Sequence, residues 1–144
     1  NTSIKKIISK TLELLPTDLD KIDVQENLPE ISISVDVTKF TVALRNLIDN
    51  ALKYGKDHAY ISCQINEESV LIQVSDNGDG ISDDDMDKIM EPFYRSAKTS
   101  HTIRGFGLGL TITKKIIDAH SGLLKVSNLA MNKKGAIFTI QLPV

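Results

Sequence analysis

Asp76-Asn77-Gly78-Asp79-Gly80-Ile81 is the first stretch whose residue types could do chemistry. It follows an alternating run, Val70-Leu71-Ile72-Gln73-Val74-Ser75. Successive side chains of a strand point to opposite faces, so Val70, Ile72 and Val74 share a face and Asp76 falls on it. An ionised carboxylate on an apolar face is costly unless something donates hydrogen bonds to it. Glycines allow a sharp turn or the close approach of a ligand. The stretch therefore reads as a pocket floor for a donor-bearing ligand. The competing reading is a strand that ends in a solvated Asp-Asn-Gly turn.

A second group is spaced for a helix face. Asn46, Asn50 and Lys53 lie nearly opposite Phe40, Leu44, Leu47, Ile48 and Ala51 when turned by about 100° per residue. Asparagine is a mediocre helix former, and a solvated face is more often built of Glu, Lys and Gln. Two amides at i and i+4, extended one turn by a lysine, suit a hydrated cation and phosphate oxygens. A neutral surface stripe is the alternative.

The third and fourth groups are adjacent. Phe93 and Tyr94 precede Arg95, Lys98, His101 and Arg104 in a Ser- and Thr-rich stretch. A long basic loop in a slightly acidic chain suits closure over an anionic ligand. It runs into Gly105-Phe106-Gly107-Leu108-Gly109-Leu110, which opens a helix. Glycines at a helix start expose backbone N–H groups at the positive end of the dipole, which is an anion seat. The spacing is neither a dinucleotide fingerprint nor a P-loop.

These groups need elements to position them. Ile4, Ile7, Ile8, Leu12 and Leu15 predict a helix over Thr2–Leu15, ended by Pro16. A short strand is expected at Lys21–Val24 and another at Ile31–Val35. Asp36 is a fitting N-cap for a helix over Val37–Tyr54. Ala59–Ile65 and Val70–Ser75 read as a hairpin, and Leu123–Ser127 and Ala136–Leu142 as a second. Ser82 caps a short helix at Asp83–Met90, where the adjacent aspartates are explained by the helix dipole rather than by a metal. The helix begun by the glycines ends near His120, with Gly122 as its stop.

Composition narrows the function classes. The 144 residues, 41% apolar and 25% charged, suit one globular domain. A net charge of −2 gives no footprint for nucleic acid. No apolar run approaches the ~18–20 residues of a membrane span, so direct membrane contact is not expected. The absence of an initial Met reads as a fragment of something longer. The single cysteine, Cys63, sits in an alternating run, reads as a buried hydrophobe and fits a reducing compartment.

One pocket could hold all four groups. Asp76 would accept from an exocyclic amine such as that of adenine, Ile81 and last-strand apolar residues would wall a flat base, Asn50 would hold Mg²⁺, and Lys53 with the glycine amides would hold phosphates. The expected ligand is ATP with Mg²⁺.

Leu44–Tyr54, Asp76–Ile81, Glu91–Arg95 and Gly105–Leu110 resemble, in order and spacing, the asparagine, first glycine, phenylalanine and second glycine boxes of sensor histidine kinases. Gly135-Ala136-Ile137-Phe138 through Leu142-Pro143 resembles the final strand of that family. The resemblance implies an α+β fold: a two-layer α/β sandwich with a mixed, mostly antiparallel sheet of about five strands against three helices, and a long ATP lid. It implies that Asp76 binds the adenine amino group, Asn50 ligates Mg²⁺, and Asn46, Lys53 and Arg104 serve the phosphates, with Tyr54 packed on the base. Gly78, Gly80, Ile81, Arg95, Gly105, Gly107, Leu108, Gly109, Leu110 and Phe138 complete the expected nucleotide contacts.

The chain departs from the family's pattern in three places. Phe106 stands where a small or polar residue is usual, and Ala136 follows Gly135 where many members have Thr. No phosphoacceptor box surrounds His58, His101 or His120, which are all expected to be solvated. The resemblance therefore implies a single catalytic domain over 1–144, monomeric and cytoplasmic. Its γ-phosphoryl acceptor would be a histidine on separate dimerising helices, and its indirect partner a response regulator. Asn46 occupies the place where related gyrase-, mismatch-repair- and chaperone-type ATPases carry a water-activating Glu, so slow hydrolysis is expected. A regulatory nucleotide-binding module and a water-activating ATPase are the alternatives.

Overall fold

The computed structural model describes residues 1–91, 109–129 and 134–144. Two short strands, β1 (Thr2–Ser3) and β3 (Ser32–Ile33), pair antiparallel and flank the first helix, α1 (Ile4–Glu13). The helix had been expected to begin at Thr2. Ser3 instead is extended and caps α1, its hydroxyl accepting from the Lys6 N–H at 3.2 Å. That leaves Thr2 and Ser3 free to pair with Ile33 and Ser32, and only these two of the Ile31–Val35 stretch enter a ladder.

The main sheet has five strands in the order β2 (Ile22–Val24), β4 (Ala59–Ile65), β5 (Ser69–Asp76), β7 (Ala136–Pro143) and β6 (Leu123–Asn128). β2 runs parallel to β4, and every other neighbour is antiparallel. This is the mixed, mostly antiparallel sheet of five strands that the family resemblance implies. On one face lie Ala59, Ile61 and Cys63, then Val70, Ile72 and Val74, then Phe138, Ile140 and Leu142, all buried. The other face is wetter, with Tyr60, Gln64 and Lys125 exposed.

Helix α2 (Val37–Tyr54) has the predicted bounds. Asp36 caps it, Oδ1 accepting from the Lys39 N–H at 3.1 Å. Phe40, Leu44, Leu47 and Ile48 are wholly buried in one core with α1 and the sheet. Burying each such side chain contributes on the order of 1.5–3 kcal/mol. Helix α3 (Asp83–Met86) is a single capped turn rather than the two turns expected. Aspartates at 83, 84, 85 and 87 are poor helix formers, so only isolated turns continue to Glu91.

Helix α4 (Gly109–Ala119) runs antiparallel to α2. Three contacts show the direction. The Asp36 N–H donates to His120 Nε2 at 3.0 Å, Thr113 Oγ1 donates to the Ala43 carbonyl at 3.5 Å, and Asn46 Nδ2 donates to the Gly109 carbonyl at 3.5 Å. The start of α4 therefore lies beside the middle of α2, on its polar stripe.

Candidate functional site

Asp76 ends β5 on the same face as Val70, Ile72 and Val74 and is only 9% exposed. Its Oδ1 accepts from the N–H of Gly78 at 2.9 Å and from the N–H of Ala136 at 3.2 Å. Burial pushes the carboxyl above its ordinary 3.8, while these two hydrogen bonds pull the other way. Oδ2 has no hydrogen-bond partner among the described residues. The carboxylate is thus pinned through one oxygen and offers the other. Buried acceptors are seldom left unpaired, so a donor from outside the chain fits that second oxygen.

The loop after Asp76 is held from both sides. Asn77 turns away from the pocket, and its Oδ1 accepts from the N–H groups of Lys56, Asp57 and His58 at 3.2, 3.3 and 3.2 Å. Gly78 lies against the end of α2. A Cβ there would stand 2.7 Å from Gly55 Cα and 2.8 Å from the Tyr54 carbonyl oxygen. That glycine is needed for contact between two backbones. Beyond it, the carboxamide of Asn128 grips the backbone of Ile81. Sequence reasoning passed over Asn77 and Asn128. Only an asparagine at a strand end marks Asn128, and that is a weak sign without the fold.

The polar stripe of α2 reaches the same place. Asn46 and Asn50 are half-buried, and Lys53 and Tyr54 are exposed. Asn46 is tethered to Gly109 as described above. Lys53 Nζ lies 3.0 Å from Asp49 Oδ2, one turn back. An exposed pair of this kind contributes only about 0.3–0.5 kcal/mol, so a phosphate could displace it. The Asn50 amide has no partner among the described residues. An amide oxygen with room for waters and phosphate oxygens fits Mg²⁺.

The loop after β5 thus meets the C-terminal end of α2, and the first residue of α4 meets its middle. Leu110 and Phe138, expected at the nucleotide, are 8% and 4% exposed and sit in the hydrophobic core. Arg95, Arg104, Gly105, Gly107 and Leu108 lie outside the described residues. On the described side of that stretch, Thr111 Oγ1 donates to the Met90 carbonyl at 3.0 Å.

The histidines were expected to be solvated, and two of them are bound. His120 Nδ1 lies 2.7 Å from the Ile116 carbonyl while Nε2 faces the Asp36 N–H. A carbonyl only accepts and an amide only donates, so Nδ1 donates to Ile116 and Nε2 accepts from Asp36. Phe40 meets it edge-on, with ring centroids 6.0 Å apart. His58 Nε2 pairs with Asp23 Oδ2 from β2. His101 lies outside the described residues. Cys63 is buried as expected, its thiol pushed up to about 11 by burial.

A sandwich with these elements at one end of its sheet is the architecture of a nucleotide-binding family. The profile of the histidine kinase-, DNA gyrase B- and HSP90-like ATPases matches residues 35–144, and the chain belongs to that family. Among curated relatives, it is 38% identical over 121 residues to sporulation kinase B of Bacillus subtilis, covering 82% of this chain and 27% of that protein. It is 37% identical over 124 residues to the sensor histidine kinase WalK of the same organism, covering 81% of this chain and 20% of that protein. A mycobacterial sensor histidine kinase, MprB, has the same fold with a TM-score of 0.83 at 26% identity, covering 99% of this chain and 96% of that one. The chain thus spans about a quarter of the length of these curated relatives, a sporulation kinase and a sensor histidine kinase.

Proposed function

We propose that this chain is the catalytic ATP-binding domain of a two-component sensor. It would move the γ-phosphoryl group of ATP onto a histidine of a separate helical domain, which in turn supplies a response regulator. The observation that carries the ATP reading is the half-satisfied carboxylate of Asp76, whose unpaired Oδ2 would accept from the exocyclic amine of adenine. Guanine presents a carbonyl at that edge and would leave two acceptors facing each other.

Asn50 would hold Mg²⁺ through its amide oxygen. When bound, the ion neutralises charge on the phosphates. Lys53 would leave Asp49 for a phosphate oxygen, and Arg104 with the Gly105, Gly107 and Gly109 amides would complete the anion seat. Tyr54 and Ile81 would flank the base, and Arg95 would lie at the lid. Phosphoryl transfer depends mainly on such positioning and charge neutralisation. A neutral imidazole brings its own lone pair, so no strong base is required here.

Two observations favour an acceptor outside this domain. Both ring nitrogens of His120 are engaged within the fold, and His58 is paired with Asp23. The water-activating alternative fares worse, because Asn46 takes no proton at neutral pH and its amide is turned to the Gly109 carbonyl. We place it as a monomeric domain on the cytoplasmic side of its parent; no helix among the described residues is long and apolar enough to cross a membrane.

The test is incubation with γ-labelled ATP and a supplied domain carrying the phosphoacceptor helices. An acid-labile, base-stable label on that partner is the expected result. Hydrolysis at several turnovers per second with no label on the partner would overturn the kinase reading in favour of an ATPase.

A further inference from the structure

The loop between Asp76 and Ile81 is bracketed by one rung of the β6–β7 hairpin. Asn128 and Ala136 are register partners at its end. Ala136 gives its N–H to Asp76 Oδ1, before the loop. Asn128 gives its side chain to Ile81, after the loop. Its Oδ1 accepts from the Ile81 N–H at 2.7 Å, and its Nδ2 donates to the Ile81 carbonyl at 2.8 Å. The Ile81 backbone thus meets a side-chain amide as it would a neighbouring strand. Gly80 (φ +84°) makes the approach possible, because a Cβ there would stand 2.7 Å from Asn128 Oδ1.

We propose that Asn128 is a positioning residue, one that sets where Ile81 and the glycine loop stand relative to Asp76 and through them the choice of nucleobase. The inference rests on the nucleotide reading above. Only a carboxamide meets the requirement at this position. A carboxylate can accept from the Ile81 N–H but repels the Ile81 carbonyl, and a leucine of similar size does neither. Asn128 is exposed, so its loss removes little buried area from the core. The effect should appear in base discrimination rather than in global stability.

The experiment compares the wild type with Asn128→Leu and Asn128→Asp. Calorimetry with Mg²⁺-ATP and Mg²⁺-GTP is read beside amide hydrogen exchange at Ile81 in the nucleotide-free protein. Asn128→Leu should weaken ATP binding about 3- to 10-fold, the range of one or two hydrogen bonds, and lower the ATP-over-GTP ratio by a similar factor. Its Ile81 amide should exchange faster, and Asn128→Asp should fall between. An unchanged nucleotide ratio with a fast-exchanging Ile81 would reduce Asn128 to a structural tether and defeat the proposal, as would an Ile81 amide that stays protected. A wild type that binds no ATP would defeat the nucleotide reading first, and the exchange at Ile81 tells these failures apart.

Discussion

The N–H of Ala136 donates to Asp76 Oδ1 across sixty positions of sequence, at 3.2 Å. With the Gly78 amide on the same oxygen, it pins the carboxylate through Oδ1 and leaves Oδ2 without a partner among the described residues. The side chain of residue 136 takes no part in this bond. The alanine found there in place of the more usual threonine therefore leaves the hold on Asp76 intact.

Asp76→Asn is expected to abolish selectivity for adenine, because the outward group becomes able to donate as well as accept. Calorimetry with ATP and GTP measures it. Unchanged ATP affinity would remove Asp76 from the base site.

The same carboxylate should leave a trace in the pH dependence of folding. Burial raises the folded value above the unfolded one, so the folded state binds more protons across that interval. The contribution of Asp76 to stability is therefore most favourable below the ordinary 3.8 and declines as pH rises through the raised value. Asp76→Asn lacks this decline. Its melting temperature relative to wild type should increase between about pH 4 and pH 7, and a flat difference would contradict the burial argument.

Asn50→Ala should weaken nucleotide binding more with Mg²⁺ present than with EDTA. Equal losses in both titrations would mean that Asn50 only packs.

His120→Phe keeps a ring against Phe40 but loses bonds to Asp36 and Ile116. Losing these two bonds, one at the surface and one half-buried, should cost about 0.5–1.5 kcal/mol in urea unfolding. A loss near zero would show that water replaces the imidazole.

Gly78→Ala forces a methyl to within 2.7 Å of Gly55 Cα. The two backbones must separate, at a cost of about 1–3 kcal/mol. Thermal melting should show it, accompanied by weaker ATP binding as the loop shifts away from α2.

Much of this was legible in the order of residues. The strand face shared by Val70, Ile72, Val74 and Asp76 follows from alternation, and the bounds of α2 follow from Asp36 and a clean apolar stripe. What was hidden depends on long-range approach. Thr2 and Ser3 continue a helical pattern, yet they pair with a strand thirty residues on because Ser3 serves as the cap. His120 looks like a frayed helix end until α2 comes alongside and presents an amide to it. Asn128 shows no motif because its partner is the backbone of Ile81, and any residue type there would offer the same N–H and C=O. Leu110, expected at the nucleotide from its glycine box, and Phe138, expected there from the final strand, are both buried in the fold.

The bond from Thr111 to the Met90 carbonyl draws together the two points between which residues 92–108 are strung. Because those anchor points are tied to each other, the sandwich does not rely on the intervening length to stay closed. Changes within residues 92–108 should therefore bear on nucleotide binding more than on the melting of the sandwich.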